Sequence, residues 1–257
     1  MSLRVLDLFS GIGAFSLGLE RTRGFETVAF CEIELFPRRV LAKHWPKVPR
    51  YHDIRELTAA GLAADGIAVD AICGGFPCQN VSIAATAHGG DTSLDGDQSG
   101  LWFEYSRLID ELRPRVAFIE NVDRLAGDGL DRVLRSLAAL GYDAQWDVVP
   151  GWFVGAPQAR KRIWIVAYPA GERMEGLFES VRAGAAGQRR PSSAPDLLDI
   201  AHSAFGGDDR FPQPLLRGVD DRPANWVDRL HGCGNAVIPA IPELIGRAYL
   251  DAERLAA

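Results

Sequence analysis

The sequence predicts an α/β fold: a mixed, mainly parallel sheet with helices on both faces. Short apolar runs recur along the chain, each bounded by turn residues and too short for a helix. Stretches with helical spacing separate them, the alternation expected of parallel strands joined by crossover helices. The first run also ends in a glycine turn that opens straight into a helical stretch, as Rossmann-like sheets do at a ligand site.

In chain order, "RVLDLF" (4–9) reads as a buried strand and "AFSLGLERT" (14–22) as the helix after the turn. "TVAFCE" (27–32) is a second strand and "LFPRRVLAKHW" (35–45) a second helix. "AVDAICGG" (68–75) is a strand, "LWFEYSRLIDELR" (101–113) an amphipathic helix and "RVAFIEN" (115–121) a strand. Leu130, Val133, Leu134, Leu137 and Leu140 fall at helical spacing, and "YDAQWDVV" (142–149) and "RIWIVAY" (162–168) follow as strands. From residue 170 to 226 the chain is rich in Gly, Pro, Arg and Asp with little periodicity, so a small irregular region is expected there. "GNAVIPAIPELIGRAYLDAERL" (234–255) restores regular structure as a C-terminal helix. The main domain is therefore expected over 1–169 plus 227–257.

The 257 residues are 47% hydrophobic and 24% charged, an ordinary globular composition. No window approaches ~18 consecutive apolar residues, so no membrane span is expected. "MSLRVLDLFSGIG" has no basic stretch before a long apolar one, which argues against a signal peptide and for a cytoplasmic protein. Cys31, Cys73, Cys78 and Cys233 form no CxxC pair and no zinc-ligand spacing, so neither disulfides nor a metal is expected. The net charge is −6, but unevenly spread: residues 1–150 carry 15 Lys/Arg against 21 Asp/Glu, and residues 151–230 carry 11 against 10. A polyanion meets the least repulsion in the second stretch.

Gly11 and Gly13 allow a sharp turn and close approach of backbone to ligand. Glu32 and Glu34 follow about 20 residues on, where this kind of sheet sets a carboxylate against ribose hydroxyls. A nucleoside-containing cofactor fits; NAD fits poorly, because Ser16 stands where the dinucleotide fingerprint needs a third glycine. A plain strand-to-helix joint is the other reading. Cys78, in "GGFPCQN", follows a strand at the edge where such sheets bind ligands, and is either a buried structural thiol or a nucleophile. Glu120 ends the next strand at the same edge, as a loop acid or a catalytic one. Arg160 and Arg162 lie two apart before a strand, placing both on one face, with Gln158 just upstream. They suit either a polar substrate or a solvated edge.

Taken together these blocks resemble the cytosine-5 DNA methyltransferases. "DLFSGIGAF", Glu32, "HDI" with Asp53, "GGFPCQNVS", "SGLWFEYSRLI", "ENV", "QARKR" and "GNAVIPAI" occur in the family's order. Two positions depart from its pattern: Gln98 where arginine is common, and Ile33 where an aromatic residue is common. The resemblance implies the fold of S-adenosylmethionine-dependent methyltransferases, with double-stranded DNA as substrate. It implies that the Cys78 thiolate adds to cytosine carbon 6, which breaks aromaticity and makes carbon 5 nucleophilic. Glu120 would hydrogen-bond the N3 edge, Arg162 the carbonyl oxygen, and Arg160 would anchor the loop. Phe9, Gly11, Gly13, Glu32, Asp53, Ile54, Pro77, Leu101, Asn235 and Val237 would line the cofactor pocket. The target base must leave the duplex. Residues 82–99, including Ser82, would close over it, unless they are an ordinary surface loop. Residues 170–226 would form a small target-recognition region, and Ser82, Gln158, Arg182, Arg189 and Arg190 would contact DNA, although 182–191 also reads as a basic linker. A compact monomer is expected, of a phage or restriction–modification kind, with a separate cognate restriction endonuclease as a partner in function. A tRNA cytosine methyltransferase, a nicotinamide-dependent oxidoreductase and a catalytically silent DNA-binding relative are the competing readings.

Overall fold

A computed structural model of the chain describes residues 2–77, 100–127, 129–156, 160–172, 174, 176–187 and 236–256. Seven strands form one sheet: β1 (Leu3–Leu8), β2 (Phe25–Cys31), β3 (Arg50–Tyr51), β4 (Ala71–Gly75), β5 (Val116–Val122), β6 (Tyr142–Val149) and β7 (Arg162–Pro169). Their spatial order is β3-β2-β1-β4-β5-β7-β6. β1 to β5 pair in parallel, whereas β7 is antiparallel to both β5 and β6. The described helices are α1 (Ala14–Arg21), α2 (Leu35–His44), α3 (Ala59–Ala64), α4 (Gly100–Leu112), α5 (Leu130–Ala139), α6 (Leu177–Gly187) and α7 (Ala240–Ala256).

Alternation along each strand sorts the apolar side chains into two cores. Val5, Cys73, Val116, Phe118, Trp164 and Val166 face one side, against α1, α6 and α7. Leu6, Leu8, Ile72, Ala117, Ile119, Ile163 and Ile165 face the other, against α3, α4 and α5. The central strands are buried on both faces, which is why they read as unbroken apolar runs. Each fully buried Leu, Ile or Phe stabilises by about 1.5–3 kcal/mol. None of the described helices is long and apolar enough to cross a membrane.

Three of the described strands and α-helices lie beyond the sequence reading. β3 has only two residues, too few for a pattern. α3 is built from Ala, Gly and one buried leucine, Leu62, and depends on its cap: the Thr58 hydroxyl accepts the Gly61 N–H at 3.1 Å. α6 is a correction to the irregular stretch expected from residue 170. Leu177, Phe178 and Val181 bury into the core, and the helix packs on α7. Alanines and glycines fill 183–187 of α6 and blur its periodicity. The C-terminal helix begins at Ala240, later than expected. Pro239 precedes it and Pro242 sits in its first turn, where a missing N–H breaks no intrahelical bond.

Candidate active site

The parallel pairing of β1, β4 and β5 brings Leu8, Gly75 and Val122 to one edge of the sheet. Antiparallel β7 starts at that edge, with Arg162 opposite Val122. Residues distant in sequence thereby share one rim.

The glycine turn occupies the β1 end. Phe9, Gly11 and Gly13 all have positive φ, at 52°, 53° and 83°. A Cβ at Gly13 would lie 2.6 Å from the Trp45 ring, so that position excludes any side chain, whereas Gly11 faces open space. Glu32, 7% exposed at the end of β2, holds the turn. Its carboxylate accepts the Gly11 N–H at 2.7 Å through Oε2 and the Glu34 N–H at 2.7 Å through Oε1. Burial raises the Glu32 pKa, and those N–H donors oppose the rise. Beneath the turn, Asp7 is wholly buried and accepts the Ser16 hydroxyl at 2.6 Å. Ser16, which breaks the dinucleotide fingerprint, thus turns inward. Burial pushes Asp7 up to about 7.

Ile54 is buried, and Asp53 beside it accepts the Arg55 N–H at 2.9 Å. Phe9 stacks on Tyr105 of α4 with centroids 6.4 Å apart, and half-buried Leu101 lies in the first turn of the same helix. Pro77, also half-buried, follows the buried Phe76 beyond β4. Val237 is buried in the core on the α1 side. This donor set fits a nucleoside: a buried carboxylate, a turn with open space at Gly11 and apolar flanks meet at one rim.

The second cluster is formed by the ends of β4, β5 and β7 at this rim. Glu120 is 8% exposed and pairs with Gly75 in the sheet register. A Cβ at Gly75 would fall 2.4 Å from Glu120 Oε2, so only glycine lets this carboxylate lie across the end of β4. Arg162 Nε sits 2.9 Å from Glu120 Oε1. Burial pushes Glu120 up to about 7, against the pull of Arg162 and Arg160. Burial, together with neighbouring Arg162, lowers the pKa of Arg160. Asn121, to which the sequence reading gave no role, ties the two strand ends together. Its Nδ2 donates to the Phe76 carbonyl at 3.0 Å, and its Oδ1 accepts the Val122 N–H at 2.8 Å. An amide directly after a buried acid at a strand end was the available signal.

Arg182 lies on α6, where its guanidinium reaches Asp147 of β6 at 2.7 Å. Cys78, Ser82, Gln158, Arg189, Arg190 and Asn235 lie outside the described residues, as do residues 82–99 and most of 170–226.

The sheet thus carries a glycine turn after β1, a buried acid after β2 and a Glu–Arg pair between β5 and β7, the Rossmann-like class of architecture. The family profile described as C-5 cytosine-specific DNA methylase matches residues 3–205, and the chain belongs to that family. Type II methyltransferase M2.BsuMI of Bacillus subtilis is 34% identical over 264 residues, covering 97% of this chain and 61% of the relative. Type II methyltransferase M.CviJI of Paramecium bursaria Chlorella virus IL3A is 32% identical over 185 residues, covering 71% and 48%. The chain thus spans about half to three fifths of the length of these relatives. A DNA modification methyltransferase encoded within an E. coli prophage superposes with TM-score 0.54 at 28% identity, over 65% of this chain and 47% of the other. The Entamoeba histolytica methyltransferase EhMeth superposes with TM-score 0.66 over 98% and 99% of the two chains, at 13% identity, a likeness of fold alone.

Proposed function

We propose that this chain transfers a methyl group from S-adenosylmethionine to carbon 5 of a cytosine swung out of double-stranded DNA. The observation that carries the reading is the pairing of buried Glu120 with half-buried Arg162 beside the strand that leads into Cys78. Bound at the glycine turn, the cofactor supplies an electrophilic methyl group on a sulfonium. Glu32 would bind the ribose, Asp53 and Ile54 the adenine, and Phe9, Gly11, Gly13, Pro77, Leu101, Asn235 and Val237 would complete the pocket.

Carbon 5 of cytosine is a poor nucleophile until the ring loses aromaticity. The Cys78 thiolate bonds to carbon 6, and the displaced electron pair makes carbon 5 enamine-like. Glu120, with a pKa near neutrality, is suited to share a proton with N3 as that bond forms. Arg162, which pairs with Glu120, would hold the exocyclic oxygen, and Arg160, whose charge also acts on Glu120, would anchor the loop. Preorganised groups of this kind are commonly worth about 3 kcal/mol each. After methyl transfer, loss of the carbon-5 proton expels the thiolate and restores the ring. Ser82, Gln158, Arg182, Arg189 and Arg190 are the proposed DNA contacts. Type II relatives by name accord with a restriction–modification role and a cognate endonuclease.

Tritiated methyl transfer to duplex DNA, with tRNA in parallel, tests the reading. Label in DNA that Cys78→Ala abolishes supports it. Label in tRNA alone reassigns the substrate, and unimpaired transfer by Cys78→Ala overturns the mechanism.

A further inference from the structure

Helix α4 backs three segments of the cofactor rim at once. Tyr105 stacks on Phe9 after β1, and Trp102 lies against Phe76 after β4, with ring centroids 5.3 Å apart. The third contact is made by Arg107. Its Nη2 donates to the Ile54 and Leu57 carbonyls, each at 2.9 Å. Its Nε donates to Glu104 at 2.7 Å and its Nη1 to Glu111 at 2.6 Å. The other Glu111 oxygen accepts the Ala59 N–H at 2.8 Å, at the start of α3. The fork therefore grips a turn that two weak bonds close: Glu56 N–H to the Asp53 carbonyl at 3.1 Å, and Leu57 N–H to the Ile54 carbonyl at 3.3 Å.

We propose that Arg107 is a positioning residue for cofactor binding, fixing the Asp53–Leu57 backbone from α4. The inference rests on the cofactor reading above, in which Asp53 and Ile54 meet the adenine. The planar guanidinium supplies diverging donors in fixed directions, which a lysine ammonium does not reproduce. Arg107 acts through the turn and not on the reacting atoms, so its loss separates binding from chemistry.

The test is equilibrium dialysis with tritiated S-adenosylmethionine, paired with cofactor KM and kcat on duplex DNA. Arg107→Met is compared with Arg107→Lys and with Arg135→Met, a control for loss of an exposed i,i+4 ion pair. Arg107→Met raises the cofactor Kd and KM about tenfold while kcat at saturation falls less than about threefold. Arg107→Lys falls between, and Arg135→Met binds as the parent does. A folded Arg107→Met protein that binds within about twofold of the parent overturns the inference. If that variant does not fold, the same parent-like affinity in Arg107→Lys overturns it. A parent protein that binds no S-adenosylmethionine removes the cofactor reading and this inference together. Tight parent binding with an unaltered variant removes only this one.

Discussion

Asp7 and Glu120 are buried carboxylates in opposite halves of the sheet, and burial pushes both up to about 7. Their partners differ. Asp7, on parallel β1, meets neutral donors, the Ser16 hydroxyl and the Cys73 thiol. Glu120 faces two arginines, at the junction where β7 runs antiparallel to β5. Neutral partners suit an acid that holds a turn in place. Cations suit one whose charge must change while a substrate is bound. Burial alone does not separate the two acids; the two arginines beside Glu120 do.

The largest expected effect falls on the Glu120 side. Glu120→Gln lowers kcat about 100- to 1,000-fold in tritiated methyl transfer, with cofactor affinity in dialysis near the parent value. Arg162→Met lowers kcat by a comparable factor and also alters the pH profile. Arg162 holds the Glu120 pKa down, so its removal raises it. If the protonated acid is the active form, the descending limb near pH 7 then moves to higher pH. A limb that stays fixed detaches Glu120 from the proton transfer.

Next comes the glycine turn. Gly13→Ala puts a methyl group against Trp45 at positive φ, and loses about 2–3 kcal/mol of stability by denaturant unfolding. Gly11→Ala has the same backbone penalty in open space and loses about 1–2 kcal/mol. Equal losses at the two positions would remove the steric argument. A smaller effect is expected from Glu32→Gln. It raises the cofactor KM about tenfold, with far less loss of kcat than Glu120→Gln.

The remaining prediction concerns pH. Asp7 is raised from 3.8 to about 7 on folding, so the folded state holds that proton more tightly. Its contribution to stability is complete below about pH 4 and lost as pH rises through about 7. Glu120, raised from 4.5, contributes with the same sign. Thermal unfolding of Asp7→Asn should therefore show a flatter decline between pH 5 and pH 8 than the parent. An unchanged slope would show that Asp7 does not titrate in that range.

The two halves also differed in legibility. The glycine turn and Glu32 could be read because the turn is local and the acid follows at a spacing set by one strand–helix–strand unit. The central strands could be read because burial on both faces leaves unbroken apolar runs. The Glu120–Arg162 contact could not be read from spacing. It arises from antiparallel pairing of β5 with β7, and nothing local reports which strand inserts there. Their places at strand ends singled out the two residues, and the family resemblance supplied roles without their geometry. Asn121 and Arg107 stayed hidden for a related reason, since each acts on backbone carbonyls of a segment remote in sequence. α6 was missed because its apolar face is narrow among alanines and glycines.

Covalent trapping tests whether the Cys78 sulfur bonds to carbon 6. Duplex DNA with 5-fluorocytosine at the target position, incubated with S-adenosylmethionine, cannot lose a carbon-5 proton, so a thiol bonded to carbon 6 stays bonded. The account predicts a protein–DNA complex that survives denaturation, mapped by peptide mass to Cys78 and absent from Cys78→Ala. Full turnover on ordinary cytosine with no such complex on the fluorinated duplex would contradict it.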